Sequence, residues 1–130
     1  MARNDTIADA LTNMKNHENA AKRECVAWPS SKLLGEILRI MKENEYIAGF
    51  EEFDDGKVGA FRVSLNGKIN ECAAIKPRFA VRRGEFEKYE KRFLPSFDVG
   101  IIIVSTSKGV FTHTGAKEKE LGGRLLAYVY

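Results

Sequence analysis

Apolar residues recur along this chain at two spacings, one helical and one strand-like. Ile7, Ala8, Leu11 and Met14 sit at helical intervals behind polar residues able to start a helix, and Thr6 with Asp9 has capping-box-like spacing. This predicts a first helix ending near 16–19. Residues 24–28 alternate as a short strand. Pro29-Ser30-Ser31 breaks that strand and starts a second helix, whose apolar stripe is Leu33, Leu34, Ile37, Leu38 and Met41; it ends near 43–45. Phe50 and Phe53 flank a polar pair before the turn Asp54-Asp55-Gly56-Lys57, and Phe61, Val63 and Leu65 then alternate with Arg62 and Ser64. Asn66 and Gly67 both tolerate positive φ. They form the strongest short hairpin signal of the chain and predict that 69–75 returns as the partner strand.

The second half changes texture. Pro77 and Gly84 punctuate an extended piece, 78–83. Residues 85–93 read as a short helix with a favourable Glu87–Lys91 spacing, stopped before Pro95. Val99-Gly100-Ile101-Ile102-Ile103-Val104 is the most apolar run and has the β-branched content of a buried strand. It stops in Ser105-Thr106-Ser107-Lys108-Gly109 before Val110-Phe111 resumes. Thr112 can cap a short polar helix over 113–121, Gly122-Gly123 ends it, and 125–130 reads as a terminal strand. No internal repeat or low-complexity linker interrupts this order. The expected fold is α+β: an N-terminal α-β-α-β-β half packed against a mainly β C-terminal half with short helices, divided as 1–66 and 67–130.

Composition narrows this picture only moderately. The chain has 130 residues, 44% of them hydrophobic, which is normal for a protein with a core. No apolar run approaches the ~18 residues a membrane-spanning helix needs, and residues 1–6 lack the apolar stretch of a secretory signal. The expectation is an intracellular protein with no membrane partner. Cys25 and Cys72 are far apart in strand-like segments and read as reduced core residues. A net charge of +3 is a mild bias. Its distribution says more: Lys76, Arg78, Arg82, Arg83, Lys88, Lys91 and Arg92 crowd the middle of the chain, with Phe79, Phe86, Tyr89 and Phe93 between them. That pattern suits a phosphate backbone. It also suits a solvated basic face over an apolar core, a reading that Glu85, Glu87 and Glu90 favour after Gly84.

Catalytic chemistry has weak support. His17 and His113 have no carboxylate or cysteine at metal-ligand spacing, so neither a metal nor another cofactor is expected. Ser105 or Ser107 with His113 is a conceivable nucleophile and base, the basis of a small hydrolase or transferase. Yet the Gly-x-Ser-x-Gly surroundings are missing, no acid is evident to orient His113, and that residue reads as a solvent-facing member of a first helical turn. Ser107-Lys108-Gly109 resembles part of a phosphate cradle without its spacing. A protein-interaction module docking through exposed Phe86 and Tyr89 is a third class. The Ser-Thr-Ser run is either a plain turn or a rigid edge of hydroxyls, which suit phosphate oxygens, ribose hydroxyls and base edges.

Three blocks carry a resemblance. They are Asp5-Thr6-Ile7-Ala8-Asp9-Ala10-Leu11-Thr12-Asn13-Met14-Lys15-Asn16, then Trp28-Pro29-Ser30-Ser31-Lys32-Leu33, and finally Ile102 to Thr112 with Gly122-Gly123 and Leu126-Ala127-Tyr128-Val129. They resemble the signatures of the small-subunit ribosomal protein eight family across the whole chain, the last block in order and spacing. Arg124 stands where an acidic residue often follows the glycines, Arg82 where an aromatic often lies, and the Lys76-Pro77 region is shorter. These departures are similar to the archaeal and eukaryotic branch, and to its archaeal members most.

The resemblance implies a non-enzymatic RNA-binding protein of the cytoplasmic ribosome. Such a protein binds a distorted helix in the central domain of small-subunit rRNA and helps that domain assemble. Irregular elements are where side chains can read RNA, because the major groove of A-form helices is too narrow for them. On this chain, Ser105, Thr106 and Ser107 would hydrogen-bond ribose, phosphate and a base edge, while Gly109, Gly122 and Gly123 would let backbone approach RNA. Lys108 would add attraction, and Arg82 joins the same set. Thr6, Ser31, Lys32 and Lys57 would face a neighbouring stretch of RNA; a helix start at Ser31 suits phosphate on physical grounds as well. Neighbouring small-subunit proteins are implied partners. Its own messenger RNA is a further candidate, as in bacterial members.

Overall fold

The computed structural model describes residues 6–28, 30–54, 56, 59–96 and 99–130. The chain divides into two compact units, Met1–Cys72 and Ala73–Tyr130. The element order is α1 (Thr6–Asn19), β1 (Glu24–Ala27), α2 (Lys32–Glu43), β2 (Ile47–Phe53), β3 (Ala60–Leu65), β4 (Cys72–Ala74), β5 (Ala80–Val81), α3 (Phe86–Phe93), β6 (Ile101–Thr106), β7 (Gly109–Thr112), α4 (His113–Glu118) and β8 (Gly123–Val129). The α+β expectation holds, with antiparallel pairing in both sheets.

The first unit follows its apolar periodicity closely. α1 buries Ile7, Ala10, Leu11 and Met14, a strict i, i+3, i+4, i+7 stripe in which Ala10 replaces the expected Ala8. Thr6 lies within the helix as its first residue. α2 buries Leu34, Ile37, Leu38, Ile40 and Met41, each no more than 2% exposed; the expected Leu33 is only half-buried and Ile40 takes a place in the stripe instead. Side chains of that size contribute about 2 kcal/mol each relative to exposure, before entropy is charged against them. The three strands pair in the order β1-β3-β2, with Cys25 opposite Val63 and Phe50 opposite Val63 on the other side.

That order corrects the expected hairpin at Asn66-Gly67. β3 is the central strand, and both of its edges are already occupied by β1 and β2. No edge remains for 69–75 to pair with. The turn chemistry is nonetheless real: the Asn66 side chain accepts from Lys68 N–H at 3.2 Å and donates to the Glu45 carbonyl at 3.1 Å. It redirects the chain instead of folding it back, and the next strand, β4, lies beside β8 in the second sheet.

The second unit is built on the path β4-β8-β6-β7, with β5 also pairing β8. β8 carries one extra residue, Leu126, where pairing steps from Ile103–Ala127 to Val104–Leu125. This bulge lets Leu125 share a cluster with Val104, Ile102, Ile75, Val81, Phe86, Leu94 and Ala116. Phe79, Tyr89, Phe93, Tyr128 and Tyr130 pack against that cluster while half-buried. Phe86 is fully buried, so the expectation of an exposed docking ring there is wrong. Arg92 lies over the Phe79 and Phe93 rings at 5.0 and 5.2 Å. The basic-and-aromatic stretch is therefore largely a cationic cover on a core.

Candidate nucleic-acid interface

The apolar run of β6 continues two residues further than its composition suggests. Ser105 and Thr106 are still strand, pairing with Val110 and Gly109 of β7. Only Ser107 and Lys108 form the turn, and both are exposed. Thr106 builds this turn with its hydroxyl, which donates to the Gly109 carbonyl at 2.7 Å and accepts from Lys108 N–H at 3.1 Å. Gly109 follows at φ +124°, a conformation that L side chains rarely adopt. The side chains left to face a ligand at the tip are thus Ser107 and Lys108. Thr106 has donated its hydroxyl proton within the turn.

Other predicted residues gather at the same end of this sheet. Ser105 pairs with Arg124 across β6 and β8, and Val81 pairs with Gly123 across β5 and β8. Arg82, exposed, directly follows β5. The Arg124 guanidinium donates to the Arg78 carbonyl at 3.3 Å. The two glycines have a reason of their own. A Cβ on Gly123 would sit 2.3 Å from the Ser105 carbonyl oxygen, and one on Gly122 would sit 2.5 Å from the Val81 carbonyl oxygen. Both positions exclude a side chain because β5 and β6 backbone already presses against them. Close packing inside the protein, which sequence reasoning missed, is a sufficient cause for both glycines.

In the first unit, Ser31 is the N-cap of α2 and accepts from Leu34 N–H at 3.1 Å through its Oγ. The geometry of a helix start leaves the N–H groups of Lys32 and Leu33 pointing along the axis, where they favour an anion. Lys32 is exposed beside them, and Thr6 is exposed at the start of α1. Lys57 lies outside the described residues.

His113 departs most from expectation. It is 3% exposed, not solvent-facing. Thr112 caps α4 as predicted, accepting from Gly115 N–H at 3.0 Å, and this turns the following residue inward. His113 Nδ1 accepts from Ile102 N–H at 3.1 Å, so Nε2 carries the proton and points at Glu90 Oε1, 3.3 Å away. Glu90, 6% exposed, also receives both its oxygens' contacts from Lys117 Nζ, at 2.6 and 2.8 Å. An acid does orient His113, contrary to expectation, and it comes from α3. Burial lowers the His113 pKa, partly opposed by the Glu90 charge. With both ring nitrogens engaged by Ile102 and Glu90, His113 has no ring position left to activate Ser105 or Ser107. The triad instead ties α3 and α4 to β6, the strand that carries the Ser-Thr-Ser edge.

The thiols read as expected. Cys25 and Cys72 are buried and free, and Cys72 donates to the Leu11 carbonyl at 3.3 Å. Burial pushes the Cys25 thiol up to about 11 and the Cys72 thiol up to about 12, with nearby carboxylates adding to both. Among the described residues no cluster of three or more His, Cys, Asp or Glu could hold a metal ion, and no helix is long and apolar enough to cross a membrane. The family model described as ribosomal protein S8 matches residues 5–130.

Proposed function

The chain belongs to the ribosomal protein S8 family, whose members are structural, rRNA-binding proteins of the small ribosomal subunit, and we propose that this one grips an irregular helix of the rRNA central domain through the Ser105–Gly109 sheet end. The observation that carries the reading is a two-residue turn presenting exposed Ser107 and Lys108 from a strand paired with β7 up to the turn and with β8 up to Ser105. Ser107 donates to or accepts from a base edge or ribose, and Lys108 and Arg82 supply sequence-independent attraction to phosphate. Ser105 acts from the paired strand beside them. Thr106, Gly109, Gly122 and Gly123 serve the site by holding its shape and by keeping backbone free of side chains where RNA comes near. In the first unit, Lys32 and the helix start capped by Ser31 meet a phosphate, and Thr6 and Lys57 face the same stretch of RNA.

Binding here involves no turnover. The basic contacts give affinity that falls with salt, and the hydroxyl edge gives discrimination. Arg124, Arg82 and the Lys76-Pro77 region support an archaeal-type member. A cytoplasmic ribosome, contacts with neighbouring small-subunit proteins and recognition of its own messenger RNA by mimicry complete the proposal.

The test is a salt titration of the purified protein with a short RNA carrying the central-domain helix, beside a fully paired helix of equal length. Strong preference for the irregular helix at moderate salt is expected. Ser107→Ala should weaken that binding by about 1–3 kcal/mol. Equal, salt-labile binding to both RNAs would leave only a mildly basic surface and overturn the proposal.

A further inference from the structure

We propose that Trp28 and the groove beside it hold one unstacked base of the RNA, a contact that rests on the RNA-binding reading and extends it to a site in the first unit. Trp28 is 56% exposed, the most open of the large apolar side chains among the described residues. A single exposed apolar residue needs no explanation by itself. This one stands at the mouth of a groove of about 230 Å³ between α1 and the end of β1, lined also by Thr6, Asp9, Asn13 and Val26. The groove combines an aromatic face, an aliphatic wall and a short row of hydrogen-bonding groups.

Those groups select the occupant. The Asn13 amide nitrogen donates to the Val26 carbonyl at 2.8 Å, which fixes the amide and leaves its oxygen as an acceptor. The Asp9 carboxylate is a second acceptor, and the Thr6 hydroxyl can serve either way. A phosphate would be repelled by Asp9. A base bearing an amino group offers N–H donors to these acceptors and a π-face to the indole, the pairing by which unstacked RNA bases are recognised. The position along the chain agrees. Trp28 precedes the N-cap Ser31 by three residues, a span of about 10 Å at most when extended. A nucleotide whose phosphate meets the start of α2 therefore has its base within reach of the ring.

Trp28 is the sole tryptophan of the chain, so the indole reports on its own site. The experiment titrates the intact protein with the central-domain helix and follows mobility shift and indole emission in the same samples. Emission should fall by half or more and saturate with the shift. Replacing each unpaired nucleotide in turn by an abasic residue should abolish the quenching at one position alone. Trp28→Phe should bind within about threefold of the parent and Trp28→Ala about tenfold more weakly, both with unchanged thermal unfolding. A complete shift with unaltered emission overturns the inference and leaves the RNA reading standing. Absence of any shift overturns both. Emission that responds only when a protein partner is added assigns the groove to that partner and overturns the inference as well.

Discussion

The two units are made by different means. Among the described residues, those buried as a whole in the first unit carry apolar side chains or thiols, whereas the two other buried residues with polar side chains, Glu90 and His113, belong to the second. Among the first unit's candidate contacts, Thr6, Ser31 and Lys32 sit at helix starts, where an N-cap and a dipole serve. Those of the second sit on a sheet end whose shape depends on a buried triad, a β-bulge and two glycines pressed against neighbouring backbone. An apolar interior tolerates redistribution of volume, but a buried polar network is strict, because removing one member strands the others. The second unit should therefore be the more sensitive to substitution, to pH and to anything that disturbs its backbone.

The largest effect should come from Gly123→Ala. The new Cβ meets a backbone carbonyl at 2.3 Å, so β6 and β8 must separate. A loss of about 3 kcal/mol in urea unfolding is expected, with RNA affinity falling alongside. An unchanged midpoint would show that the strands have room and would dissolve the contrast between the units. Next comes Glu90→Ala, which leaves the His113 Nε2–H without its acceptor. About 2 kcal/mol should be lost, whereas Lys117→Ala should cost clearly less because Lys117 is 41% exposed.

The two helix caps give an internal calibration. Ser31→Ala in the first unit and Thr112→Ala in the second each remove one N-cap acceptor and should each cost about 1 kcal/mol. A much larger loss at Thr112 would mean that the cap also holds His113 in place, which sharpens the comparison. The mildest effect is that of pH. The His113 pKa is lowered in the folded protein from an ordinary 6.5. As pH falls below 6.5 the unfolded chain takes up a proton that the folded chain resists. Stability is thus present above 6.5 and declines below it. Amide exchange at Ile102 should quicken relative to β3 between pH 7.5 and 5.5, after correction for intrinsic rates, and His113→Gln should flatten the difference. Equal changes in both strands would break the assignment to the second unit.

The sequence made legible whatever is decided within about ten residues. The stripes of α1 and α2, the cap at Thr112 and the strand before Ser105 were readable because periodicity and capping are local. Asn66-Gly67 misled because turn chemistry reveals a bend but not that both edges of β3 are already taken. His113 misled because six residues of helix carry too little period to show a buried side, and its acid, Glu90, lies 23 positions away. Gly122 and Gly123 stand out in the sequence, yet the neighbours that exclude a side chain come from β5, the residues just after it, and β6. At Phe86 the surrounding charges hide that its own position faces the core.

The Thr106 hydroxyl, fastened to both sides of the Ser107-Lys108 turn, has a kinetic and entropic consequence. A loop that is already folded has no backbone freedom to surrender on complex formation, so only the rotamers of Ser107 and Lys108 are lost, at about 0.5–1.5 kcal/mol per immobilised side chain. Docking at this point is then a collision between finished surfaces, with its rate set by encounter and charge and not by a search through loop conformations. On the reading proposed above, a slow step in complex formation falls to the RNA, which has to reach its bound form before the turn can meet it.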